Sequence, residues 1–196
     1  VRVLIACEFS GAVRRAFRAK GHDAWSCDLI PADDSQEFHI EDDVTKYLSA
    51  DCEWDLMIAF PPCTHLAVSG ARYFKDKAVQ QEEAIEFVRK LLEAPIPKIA
   101  LENPVGVISS RIRKPDQIIQ PYEFGHDASK RTCLWLKGLP KLQPTKYVEP
   151  KIINGKKIWG NQTPSGQNKL GPSPDRAKIR SITYEGIAAA MADQWG

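Results

Sequence analysis

Cys63 stands two prolines after an apolar run, in "DLMIAFPPCTHL". Proline donates no backbone hydrogen bond and fixes φ near −65°, so Pro61-Pro62 ends a strand and stiffens the loop beyond it. A thiol mounted there is either a small buried apolar group or an aimed nucleophile. Three further apolar runs end in useful polar groups: Glu8-Phe9-Ser10-Gly11, Asp28, and Glu102-Asn103-Pro104. Taken singly, Glu102 is a cap, Asp28 a turn residue and Gly11 a tight turn. Four such ends in chain order point to one site. A glycine turn with an acid 17 residues later, Asp28, suits a ribose-bearing ligand. The turn "FSGAVRRAF" has no second glycine to admit a pyrophosphate, so a cofactor without phosphates is expected. His65 is a conceivable base for a cysteine hydrolase, but no Asn or Asp partner is evident.

These residues need elements to position them. "VRVLIACEF" reads as a strand, "AVRRAFRAKG" as a helix closed by Gly21, and "HDAWSCDLI" as a second strand. A polar stretch, "PADDSQEFHIEDD", then leads to a short helical piece at "VTKYLSA" and the strand "WDLMIAF". The helix "KAVQQEEAIEFVRKLLEA" feeds the strand "KIALENP"; "RTCLWLKGL" is another strand, and "SITYEGIAAAMADQWG" reads as a final helix beside the first strand. Strands and helices alternate, and the strands are continuously apolar. That pattern predicts an α/β fold with a mostly parallel sheet covered on both faces. In such sheets ligands bind at the carboxyl ends of the strands, where the four polar groups lie.

Composition narrows the partners. The 196 residues are 43% hydrophobic and 27% charged, enough for one filled domain. No apolar run approaches the ~18 residues that cross a bilayer, so no membrane role and a cytoplasmic protein are expected. The five cysteines (Cys7, Cys27, Cys52, Cys63, Cys133) are scattered, so reduced thiols and no metal are expected. Charge is uneven: residues 137–180 carry ten basic residues against two acids, a balance of +8 in a chain of +2, leaving −6 elsewhere. A solvated basic face is one reading. The other is nucleic-acid contact through Lys151, Lys156, Lys157, Arg176 and Arg180, with Trp159 available to stack on a base.

The ordered motifs resemble the S-adenosylmethionine-dependent DNA cytosine-5 methyltransferases over about residues 1–140. "FSG" resembles their cofactor turn, Asp28 the ribose acid and Asp43 the adenine contact. "FPPC" resembles the nucleophile loop, "ENP" the Glu-Asn-Val motif, and "SKRTC" the Gln-x-Arg-x-Arg motif. The resemblance implies a Rossmann-like methyltransferase fold and S-adenosyl-L-methionine held by Glu8, Phe9, Ser10, Gly11, Asp28, Asp43, Phe60 and Pro61. It also implies DNA as substrate, with the cytosine flipped out or single-stranded. Cys63 would add to cytosine C6, Glu102 would face the base edge, Arg131 would neutralise charge on the base or phosphate, and Asn103 would brace the nucleophile loop.

The departures are specific. Pro104 replaces the valine, Cys133 stands at the second arginine, the usual C-terminal Gly-Asn-Ser is absent, and the target-recognition domain shrinks to about residues 141–180. The chain is similar in this to compact members in phage genomes, which would place it in a bacterial host cell. The expected organisation is a 1–140 core, a 141–180 basic insert and a 181–196 closing helix, working as a monomer. Alternatives are covalent chemistry on a free pyrimidine nucleotide, an amino-group methyltransferase, and a non-catalytic nucleic-acid-binding relative.

Overall fold

β1 (Arg2–Ala6) is buried on both faces from Val3 onward, which makes it a central strand. The computed structural model describes residues 1–67, 78–173 and 175–196. α1 (Ala12–Ala19) follows the Ser10-Gly11 turn and leads to β2 (Asp23–Asp28). β3 (His39–Glu41) lies inside the polar stretch, where no strand was expected. β4 (Leu56–Ala59), α2 (Ala78–Glu93), β5 (Lys98–Pro104) and α3 (Ile108–Arg111) come next. Lys77, the expected first residue of α2, lies outside the described residues. β6 (Gln117–Ile119) and β7 (Thr132–Lys137) complete a seven-stranded sheet of order β3-β2-β1-β4-β5-β7-β6. The pairs from β3 to β5 are parallel, and β7 runs antiparallel to both β5 and β6. The fold is thus α/β, Rossmann-like, with one reversed strand.

Side chains alternate across a strand, and here both faces are covered. Leu4, Met57, Ile99 and Leu101 pack with Ile85, Val88 and Leu91 of α2. Val3, Ile5, Leu56 and Ile58 pack with Val13 and Phe17 of α1 and with Ile187, Met191 and Trp195. The last three belong to the C-terminal helix, whose buried face is therefore part of the core. No helix among the described residues is long and apolar enough to cross a membrane.

The basic segment has structure of its own. A hairpin of β8 (Lys151–Ile153) and β9 (Lys156–Ile158) turns at Asn154-Gly155, both at positive φ, the geometry that asparagine-glycine favours. α4 (Arg176–Ser181) follows, then α5 (Glu185–Trp195).

Candidate functional site

The nucleophile loop starts where β4 ends. Phe60 N–H donates to the Ala6 carbonyl at 2.9 Å, and the Cys63 carbonyl accepts from Leu66 and Ala67 N–H, both at 3.0 Å. β5 supplies the brace: Asn103 Nδ2 donates to the Pro61 carbonyl at 2.8 Å. Val107 N–H donates to the Leu66 carbonyl at 2.9 Å, and Ala67 bridges to Gly106. Asn103 is buried, and its Oδ1 has no partner among the described residues.

This loop borders a cavity of about 360 Å³ at the carboxyl edge of the sheet. Cys63, Glu102 and Asn103 meet there with Glu8, Phe9, Ser10, Phe60 and Pro61. From the basic segment, Arg176 and Arg180 line the same cavity. Burial pushes the Cys63 thiol up, as does the Glu102 carboxylate; Lys130 and Arg180 pull it down. Burial raises the Glu102 carboxyl above its ordinary value, and Lys130 and Thr132 act the other way. Burial thus favours the neutral form of Glu102, beside a thiol that two cations help to ionise.

Other expected residues lie elsewhere or are otherwise occupied. Arg131 is exposed and outside the cavity lining; Lys130 takes that place. Neighbouring residues of an extended chain point to opposite sides, so only one of the two cations faces inward. Nothing in the motif's spacing singles out Lys130. Cys133 pairs with Asn103 across β5 and β7 and is buried in the core, a position with no room for a solvated guanidinium.

Around the cofactor turn the sheet end is acidic. Glu8 caps α1: its carboxylate accepts from Val13 N–H at 2.7 Å, Arg14 N–H at 3.2 Å and Ser10 Oγ at 3.3 Å. Gly11 sits at φ 69°, and the space where a side chain would stand holds the Asp34 carboxylate. Arg14 and Arg15 both bind that carboxylate. Gly11, Asp28 and Asp43 do not line the cavity. Asp28 and Asp43 instead gather around Cys7, a lining residue whose thiol rises chiefly through burial and further through these two acids. Asp28 is half-buried, and burial raises its carboxyl. Asp43 caps the 3-10 turn Val44–Tyr47 by accepting from Thr45 N–H at 2.9 Å.

These acids fit the inferred cofactor. The first N–H groups of α1 are spent on Glu8, and carboxylates stand where a pyrophosphate would lie, so an anionic dinucleotide is disfavoured. A cationic sulfonium with a ribose matches the same set: Asp28 and Asp43 can accept from hydroxyl and amino groups, and Phe9 and Phe60 give the cavity an apolar lining.

The hairpin lysines Lys151, Lys156 and Lys157 are exposed and outside the cavity lining. Trp159 is half-buried and stacks on Tyr122, centroids 4.3 Å apart at 14°, so its ring anchors the insert. Asn161 adds a reciprocal pair with the Ser129 backbone, both bonds at 2.9 Å.

No family model matches the chain, and no curated protein does. Among solved structures it is similar to an E. coli protein titled a "putative DNA modification methyltransferase encoded within prophage", with 13% identity and a TM-score of 0.48. The match covers 78% of this chain and 53% of that one, so this chain spans about half of that protein's length. A likeness of this extent assigns no activity.

Proposed function

We propose that this chain is an S-adenosylmethionine-dependent DNA methyltransferase acting on cytosine C5. The observation that carries the reading is the meeting of Cys63, Glu102 and Lys130 in one cavity, with the nucleophile loop braced by Asn103. Cytosine C5 is a weak nucleophile. The Cys63 thiolate adds to C6; as the S–C6 bond forms, the C5=C6 pair moves to C4=C5, the C4=N3 pair moves onto N3, and N3 takes the proton of Glu102. Lys130 favours the thiolate and then balances the ionised Glu102. When bound, the cofactor supplies an electrophilic methyl group. Return of the N3 proton to Glu102, loss of the C5 proton to water and expulsion of the thiolate restore the aromatic base. Asp28 and Asp43 are assigned to the cofactor's ribose and adenine, and the exposed lysines to phosphates.

The test is covalent trapping. With S-adenosylmethionine and DNA carrying 5-fluorocytosine, fluorine cannot leave as a proton does, so a stable protein–DNA adduct is expected. Cys63→Ala should form none while binding the cofactor with wild-type affinity. Methyl transfer by the alanine variant, or a methyl group found on the exocyclic nitrogen, would sink the mechanism.

A further inference from the structure

The ten arginines among the described residues fall into two groups. Arg2, Arg14, Arg15, Arg18, Arg89, Arg111 and Arg113 pair with carboxylates. Among the described residues Arg131, Arg176 and Arg180 do not, and two of these three line the cavity. Arg176 and Arg180 are four residues apart on α4, hence on one helical face. α4 is pinned at both sides of the opening. Lys178 Nζ donates to Asp33 Oδ1 at 2.7 Å, and Lys130 Nζ donates to the Arg180 carbonyl at 2.9 Å. Lys130 keeps two further N–H donors.

The cavity is therefore polarised. Behind one end, at Cys7, stand the acids Asp28 and Asp43, which do not themselves line it. At the other, Arg180 lies close enough to act electrostatically on both Cys63 and Tyr184, and Lys130 on both Cys63 and Glu102. Three cations line that end beside a carboxyl whose neutral form burial favours, so that end calls for an anion. A guanidinium pair over a nucleophile aimed at a pyrimidine suits a phosphate one sugar away from the base, bound by forked N–H donors.

Resting on the reading above, we infer that Arg176 and Arg180, supported by Lys130, clamp the phosphate of the target nucleotide inside the catalytic cavity. They are substrate-positioning residues, separate in role from the exposed hairpin lysines. A phosphodiester in DNA and the monoester of a free nucleotide share this chemistry.

The test compares deoxycytidine with its 5′-monophosphate by calorimetry, in the presence of S-adenosylmethionine. Wild type should bind the monophosphate about tenfold or more tightly, the scale of one charge-assisted contact. Arg176→Gln with Arg180→Gln should abolish that preference, the corresponding double lysine variant should keep part of it, and both should hold the cofactor within twofold. Equal binding of the two ligands by wild type overturns the clamp, as does a preference surviving in the glutamine variant. Loss of cofactor affinity with the preference intact would assign the arginines to the cofactor's carboxylate instead. A randomised single-stranded 20-mer that displaces the monophosphate supports a DNA phosphodiester; failure to displace it keeps the clamp and makes a free nucleotide its ligand. Phosphate preference without any 5-fluorocytosine adduct would retain the clamp and reject the C5 chemistry.

Discussion

Gly106→Ala should disable the nucleophile without touching it. A Cβ at Gly106 would stand 2.0 Å from the Leu66 carbonyl oxygen and 2.8 Å from its carbon, both backbone atoms. Ordinary contact needs about 3.5 Å, so the two segments must part by roughly 1 Å or more. The Leu66 carbonyl accepts from Val107 N–H, and Leu66 N–H donates to the Cys63 carbonyl. Displacement of Leu66 therefore carries Cys63 with it. Misplacing a reacting group by about 1 Å costs on the order of 100-fold in rate, and overpacking costs about 1 to 3 kcal/mol of stability. The assay is single-turnover formation of the 5-fluorocytosine adduct, with urea unfolding in parallel. Cofactor affinity should stay within threefold, because Asp28 ends β2 and Asp43 caps the turn after β3, both apart from the Gly106–Leu66 contact. Gly171→Ala is the control, since a Cβ there meets nothing within 4 Å. A folded Gly106→Ala protein that traps DNA within threefold of the wild-type rate would refute the bracing argument.

Lys130→Met should slow adduct formation about 10- to 100-fold, the scale of one preorganised electrostatic contact, and shift its pH profile to higher pH. The sign follows from the thiol: burial already raises Cys63, and removing a cation that lowers it leaves less thiolate at neutrality. A profile unmoved in the variant would remove Lys130 from the site. Asp34→Asn tests the clasp over Gly11. Burial pulls Asp34 up, but Arg15, the Ser35 N–H and Arg14 outweigh it and hold the carboxyl at about 2, against 3.8 ordinarily. A lowered carboxyl stabilises above its unfolded value and loses that contribution as pH falls through about 2. The shift would give about 2.5 kcal/mol if enclosed, and solvent screening reduces it to roughly 1. Urea melts at pH 7 should show that loss in the variant, and no difference from wild type would discard the clasp. Replacing Lys156 and Lys157 together should flatten the log–log salt dependence of DNA binding by up to about 1.8 if both meet phosphates. An unchanged slope would put the DNA on another face.

What could be read before the structure follows from burial. β1, β4 and β5 are continuous apolar runs because helices cover both faces, and their carboxyl ends delivered Cys63 and Glu102 to the same cavity. β3 and β6 are three-residue edge strands whose half-solvated residues leave no run to see. The hairpin in "IINGKKI" has a sequence signal in its asparagine-glycine turn, which the surrounding lysines mask as a charged face. Lys130 and Arg131 differ by one residue, and only the start of β7 at Thr132 decides which of them faces Glu102. Asp34 filling the space above Gly11 has no sequence signal, since a loop carboxylate 23 residues away marks no periodicity.

The role proposed for the basic segment follows from its attachments. Tyr122, Asp127 and Ser129, which hold Trp159, Gly160 and Asn161, lie in the loop leading to Lys130. Anchoring the insert on that loop fixes where its chain departs for α4, and α4 then brings Arg176 and Arg180 to the opening above Glu102. The charges at the two ends of the cavity thus have different origins in the chain. Glu8, Asp28 and Asp43 stand at or just beyond the ends of the first three strands, and the first N–H groups of α1 are taken by Glu8. Lys130, Arg176 and Arg180 come from the region after β6 and line the cavity beside Glu102 of β5. A cationic cofactor and an anionic substrate would each be drawn to its own end, with Cys63 between them.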